Sequence, residues 1–225
     1  MPIKIEDWRG CAAPQLPFAE GRFVHVAPFD NEVYTDGLFS AISGEDNKDL
    51  WQFIPFPQPQ TSEQLAGILA FTRQPPQSWH THVLIDAVTK KPVGMASYMR
   101  VRPEHGSAEV GCIIYSKTLQ RTPAATEAMY LMAKHLFDDL GYRRYEWKCN
   151  NDNMASRRAA VRLGFVFEGV FRNDMVVHGK NRDTAWYSMT DTEWPVLKAA
   201  FEAWLAPENF GADQRQIKPL EAFRQ

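Results

Sequence analysis

Thr122-Pro123-Ala124-Ala125-Thr126 is a run suited to holding an anion. Thr122 is an N-cap residue type and Pro123 a first-turn proline, where the missing N–H costs nothing and the fixed φ already suits a helix. The N–H groups of Ala124, Ala125 and Thr126 then stand unpaired at the positive end of the helix dipole. Arg121 lies just outside, and the small alanines let a ligand approach, as in a phosphate cradle. The same residues also describe an ordinary capped surface helix, so the neighbouring elements must decide.

The helix that Thr122 starts carries apolar residues at Ala125, Ala128, Met129, Met132, Leu136 and Leu140 and stops at Gly141. Residues 145–149 alternate as a strand. Asn150 to Asn153 form a turn whose last residue caps a second helix over 154–163, which stops at Gly164. Phe165-Val166-Phe167 opens another strand.

Upstream, residues 1–21 read as an arm with Pro2, Pro14 and Pro17. Residues 22–28 alternate as a first strand, 30–43 form a helix, and 47–60 a loop carrying Trp51, Phe53 and Phe56. Thr61 caps a helix that runs to Arg73. Residues 82–87, 92–100 and 108–115 form an antiparallel meander with turns at 89–91 and 104–106. Downstream, 165–176 and 181–189 make a hairpin around His178-Gly179. A last helix over 191–205 places Trp194, Leu197, Phe201 and Trp204 on one face, before a polar tail at 206–225.

With 225 residues the chain fits one α/β domain with decorated ends. A net charge of −2 gives no chain-wide pull toward nucleic acid or an anionic membrane. Cys11, Cys112 and Cys149 are odd in number and far apart, which argues for a reducing cytosol and against zinc or disulfides. No apolar run reaches membrane-spanning length and Met1-Pro2-Ile3-Lys4 starts no signal peptide, so the expected location is cytoplasmic, with no metal.

Four segments in order, Q-R-T-P-A-A-T-E-A at 120–128, N-x-A-S-R-R at 153–158, L-G-F-V-F-E-G at 163–169 and G-K-N-R-D-T-A-W-Y-S-M at 179–189, carry a family resemblance. Over residues 22–205 the chain resembles the GNAT acetyltransferases, and most of all the group that includes the ribosomal-protein N-terminal (Rim-type) enzymes. The resemblance implies a mixed α/β fold, with a mostly antiparallel sheet of about seven strands, flanking helices and two splayed central parallel strands. Here those strands are 109–115 and 145–149. It implies acetyl-CoA as co-substrate, its pantetheine lying in the gap against Cys112, Ile113 and Ile114 like an added strand. The pyrophosphate would sit on Gln120, Arg121, Thr122, Ala124, Ala125 and Thr126. Asn153 and Ser156 would face the pantetheine and thioester, with Arg157 in reach of a phosphate. One departure is plain: the family's phosphate loop has glycine where this chain has Pro123, which removes a donor.

Acetylating an amine needs a base for the ammonium proton and a group to help the thiolate leave. Ser156 matches the Rim-type position facing the sulfur, although a first-turn serine also bonds to backbone. The tyrosine acid of many relatives is replaced by Ala160. Glu109 and Asp174 are candidate bases. Rim-type enzymes carry a glutamate near Asp174, but its aligned position falls on Met175, and a strand-end carboxylate is often solvated. Tyr187 and His178 are weaker candidates on the hairpin closing the substrate side. Aromatic lining of the acceptor groove would fall to Trp51 and Phe53, unless that loop plugs the core edge. His80 and His82 share a strand face without a third ligand of matching spacing. The expected reaction is direct acetyl transfer to a primary amine, on a protein N-terminus or a small molecule. A silent CoA-binding module and a regulatory interaction protein are the alternatives, and the oligomeric state, a homodimer included, is left open.

Overall fold

The computed structural model describes residues 5–213 and 215–224; Met1 to Lys4 lie outside the described residues. One sheet runs in the order β1-β2-β3-β4-β5-β6-β8-β7. Its strands are β1 (Ala19–Glu20), β2 (Val24–Pro28), β3 (His80–Asp86), β4 (Pro92–Arg102), β5 (Ser107–Tyr115), β6 (Arg144–Asn150), β7 (Val166–Val177) and β8 (Lys180–Thr190). Among these pairs only β5 and β6 run parallel.

Local chemistry sets the helices. Asp30 accepts from the N–H groups of Glu32 and Val33 to start α1 (Asn31–Ile42), and Thr61 accepts from Gln64 to start α2 (Ser62–Arg73). Thr122 caps α3 (Pro123–Lys134) through Ala125, and Asn153 caps α4 (Met154–Leu163) through Ser156. α5 is Trp194–Leu205. The β7–β8 turn places His178 and Gly179 both at positive φ, 51° and 71°, the geometry that suits a two-residue hairpin loop.

The sheet buries two cores. On one face α3 and α5 pack over Tyr98, Val110, Tyr145, Trp147 and Tyr187. On the other, α1 and α2 cover Val83, Ile85, Met95 and Ile114. This second core stops at β5, so on that face β6, β8 and β7 carry the polar side chains described below.

Three differences from the sequence reading have physical causes. The sheet has eight strands because Ala19 and Glu20, assigned to the arm, pair with Val26 and His25. The arm is tied down by Trp8, whose indole donates to Glu104 O (2.7 Å), and by Tyr142, whose hydroxyl donates to Ala12 O (3.0 Å). α3 does not run regularly to Leu140: a wide turn over His135–Asp139 follows it, with Leu140 N–H reaching His135 O. The tail is not merely polar, since Leu220 is fully buried and Asn209 bridges Trp204 O and Lys218 O.

Candidate active site

The parallel pair comes apart where the chemistry is expected. β5 and β6 are in register from Ser107–Arg144 to Val110–Trp147, and the register ends there. Beyond it, β5 spends three steps from Gly111 to Ile114 while β4 spends two from Ser97 to Met95, and Cys112 takes φ +46°. That extra residue is a bulge, which bends β5 away from β6 and frees backbone groups facing the gap.

At the far end of β5, residues 116–121 turn the chain into α3. Thr122 donates its hydroxyl to Leu119 O (2.7 Å), and Arg121 sits exposed at φ +61°. The Glu127 carboxylate anchors α3 to the opening of β2, accepting from the N–H groups of Arg22 (2.8 Å), Phe23 (2.6 Å) and Val24 (3.0 Å). Across the gap, Asn153 Oδ1 accepts from Ser156 N–H (3.0 Å), and the Ser156 hydroxyl accepts from Trp147 Nε1 (2.9 Å). Because Trp147 donates, the serine proton is left to donate elsewhere. One sulfur is already near: burial raises the Cys149 thiol's pKa, and hydrogen bonding with Ser156 opposes the rise.

On the acceptor face, Glu109 is 3 % exposed and lies beside Glu146 in the parallel register. Arg100 NH1 meets Glu109 Oε2 at 2.5 Å, and Lys148 Nζ lies 3.2 Å from Glu109 and 2.9 Å from Glu146. Arg100 reaches in from a left-handed backbone position, φ +44°, at a break in the β4–β5 register. Burial raises the Glu109 pKa against the pull of Arg100 and Lys148. Burial would raise Glu146 too, but Arg144 and Lys148 prevail and hold it low. Two adjacent carboxylates are thus driven apart, with Glu109 the more basic.

The other expected residues fall as follows. Cys112 and Ile113 are half-buried at the bulge, whereas Ile114 is buried in the second core. Burial pushes the Cys112 thiol up to about 12. Gln120 is exposed and donates to Tyr115 O (3.1 Å). Ala124 is buried and Ala125 half-buried at the start of α3. The Thr126 hydroxyl accepts from Arg162 (2.9 Å), so that side chain serves α3–α4 packing. Arg157 donates to the Tyr187 hydroxyl (3.1 Å) and to Asn151 O. Tyr187, read for the substrate side, is 2 % exposed in the first core. Trp51, read for the acceptor groove, is buried in the second core and donates to Ile42 O (2.7 Å). Phe53 is half-buried. Asp174 is exposed on β7, within the register shift between Phe171 and Met175, next to Asn173 at φ +52°. His178 touches Ile54 O (3.2 Å), which joins the hairpin tip to the segment after Trp51. His82 is buried between the carbonyls of Leu16 and His80. Sequence reasoning passed over Arg100, Trp147, Lys148 and Glu127; alternation on β6 pairs Lys148 with Glu146, and that was the available signal.

An interrupted parallel pair, a capped helix at the end of one strand and a buried carboxylate beside the gap define the acyltransferase architecture suggested by the resemblance. The chain belongs to the GNAT acetyltransferases: the family described as "Acetyltransferase (GNAT) domain" matches residues 28–166. A crystal structure of a GCN5-related N-acetyltransferase from Brucella melitensis is similar at 42 % identity, covering 98 % of this chain and 99 % of that one, with a TM-score of 0.93. The uncharacterized N-acetyltransferase YoaA of Bacillus subtilis (strain 168) is 32 % identical over 101 residues, 45 % of this chain and 56 % of that protein. The ribosomal-protein-serine acetyltransferase of Escherichia coli (strain K12) is 29 % identical over 80 residues, 36 % of this chain and 44 % of that protein. The chain thus spans about half the length of the curated relatives it matches.

Proposed function

We propose that the chain transfers an acetyl group from acetyl-CoA to a primary amine by direct attack in a ternary complex. The observation that carries this reading is the parting of β5 from β6 after Val110 and Trp147, between the α3 start and the Ser156 hydroxyl. Freed backbone on the bulged strand suits the amide-bearing pantetheine arm, and the first turn of α3 with Arg121 suits the pyrophosphate. Pro123 withholds one N–H from that cradle but leaves the dipole.

Glu109 takes the ammonium proton, directly or through a water, and its raised pKa makes it a better base than an exposed glutamate. As the amine nitrogen bonds to the acetyl carbon the C–S bond breaks, and Ser156 donates its hydroxyl hydrogen bond to the departing sulfur. Asp174 remains a second candidate base, and an exposed one. The acceptor is a protein N-terminus or a small amine, and the setting is the cytoplasm. Titrating the protein with acetyl-CoA while following its melting temperature tests the cofactor. A ligand bound only by the native state stabilises by about 2.7 kcal/mol at a hundredfold excess over its Kd. No shift at millimolar acetyl-CoA would contradict the reading.

A further inference from the structure

Three cations lie around Glu109, and one of them makes no ion pair among the described residues. Arg100 and Lys148 both pair with Glu109, and Lys148 also pairs with Glu146. Arg182, from β8, has its pKa lowered by burial first, against the pull of Glu109 and Asp174, yet it makes no ion pair among the described residues. It is half-buried, and its Nε lacks a hydrogen-bond partner. A guanidinium held out of water beside other cations is costly unless something pays for it.

The strand that carries Arg182 repeats the pattern. Alternate residues of a strand share a face, so Arg182, Thr184 and Trp186 line the same side of β8. On β6 their partners Asn150 and Lys148 stand opposite Thr184 and Trp186. Thr184 is 2 % exposed with its hydroxyl unbonded, and Trp186 Nε1 is likewise buried and unbonded. Lys148 Nζ lies 3.6 Å above the Trp186 ring. Three polar groups able to donate, one of them a guanidinium, therefore stand without protein partners on the side of Glu109 where the amine would arrive. Leaving such groups unmade is expensive, whereas a planar carboxylate fits an arginine fork.

We propose that this row is a subsite for an anionic group of the acceptor, and that the preferred acceptor is an amine carrying a carboxylate. Arg182 binds the carboxylate, and Thr184 and Trp186 complete its hydrogen bonds as side chains shift to admit it. The amine end lies toward Glu109. This inference rests on the acetyl-transfer reading and narrows it from amines at large to negatively charged ones.

The test uses the full chain and two probes that differ only in charge: the tripeptides Ser-Asp-Ile-amide and Ser-Asn-Ile-amide. Acetylation of each is followed, and binding of each N-acetylated product to the CoA-loaded protein is measured by calorimetry, which needs no turnover. The aspartyl peptide should be favoured at least tenfold in kcat/KM, and its acetylated product should bind correspondingly tighter. Arg182→Gln should collapse that ratio to near unity, the loss expected when a desolvated charge contact is removed. If Arg182→Gln misfolds, Trp186→Phe, which removes one donor and keeps the ring, should reduce the ratio instead. Equal treatment of the two peptides and products, or a preference that survives both variants, overturns the subsite. CoA binding with no acetylation of any amine would overturn the transfer reading, while calorimetry still decides the subsite.

Discussion

Trp147 on β6 donates its indole N–H to the hydroxyl of Ser156 on α4 at 2.9 Å, across the point where β6 loses β5. The bond fixes the serine oxygen as an acceptor, so its proton points toward sulfur, at Cys149 in the free protein and at the departing thiolate in the proposed transfer. Ser156→Ala should lower kcat roughly ten- to a hundredfold while affinity for CoA barely moves, as for an interaction made mainly in the transition state. Trp147→Phe should give a smaller loss in the same direction. Steady-state kinetics beside CoA titration separates this from a packing defect, which would weaken both.

In the proposed mechanism Glu109 supplies the pH dependence. Its pKa is raised by burial, so the acid limb of kcat/KM should lie above the range of an exposed glutamate, with activity rising as Glu109 deprotonates. Glu109→Gln should lose roughly 10²- to 10⁴-fold in rate and flatten that limb. Asp174→Asn should leave the limb in place. If the limb persists in Glu109→Gln and vanishes in Asp174→Asn, the roles are exchanged.

Arg121 lies exposed at the start of α3, where it would meet phosphate rather than the pantetheine arm. Arg121→Glu should raise the Kd for CoA far more than the Kd for a pantetheine fragment lacking the phosphates. Equal losses for both ligands would remove Arg121 from the pyrophosphate.

His82 should link the arm's docking to acid. Burial lowers its pKa from 6.5 to about 4, outweighing its bonds to Leu16 and His80. The folded state therefore favours neutral His82, and the unfolded chain takes up its proton first as pH falls. The contribution is present above pH 6.5 and disappears between there and pH 4, about 3 kcal/mol in all. Denaturant unfolding across that range should show a steeper loss for the wild type than for His82→Gln.

Much of this was legible in the chain, for reasons that differ by residue. Thr122 and Asn153 were readable as helix starts because capping is a local bargain between a side chain and N–H groups two or three residues on. The β7–β8 turn was readable from His178-Gly179 because a two-residue hairpin loop calls for positive φ, which glycine takes at no steric cost. Trp51 could be read either way, because an aromatic in a Pro-rich loop suits a groove or a core equally; its side chain is buried in the second core and bonds to Ile42 O. Glu127 and Arg100 act on partners fixed by tertiary packing or by a register break, which no local pattern announces. Tyr187 lies on the expected hairpin with its ring in the first core, which alternation could not foretell because it gives two faces without saying which one is buried.

The central claim is that the gap between β5 and β6 holds an acetyl donor beside a base for an amine. The most direct measurement is release of free thiol from acetyl-CoA, with and without a panel of primary amines, alongside the mass of each amine. The account predicts amine-dependent thiol release matched one for one by an acetylated amine, and its loss in the Ser156→Ala, Glu109→Gln double variant. Binding of acetyl-CoA with no thiol released above the amine-free rate, across peptides and small amines of both charges, would contradict it.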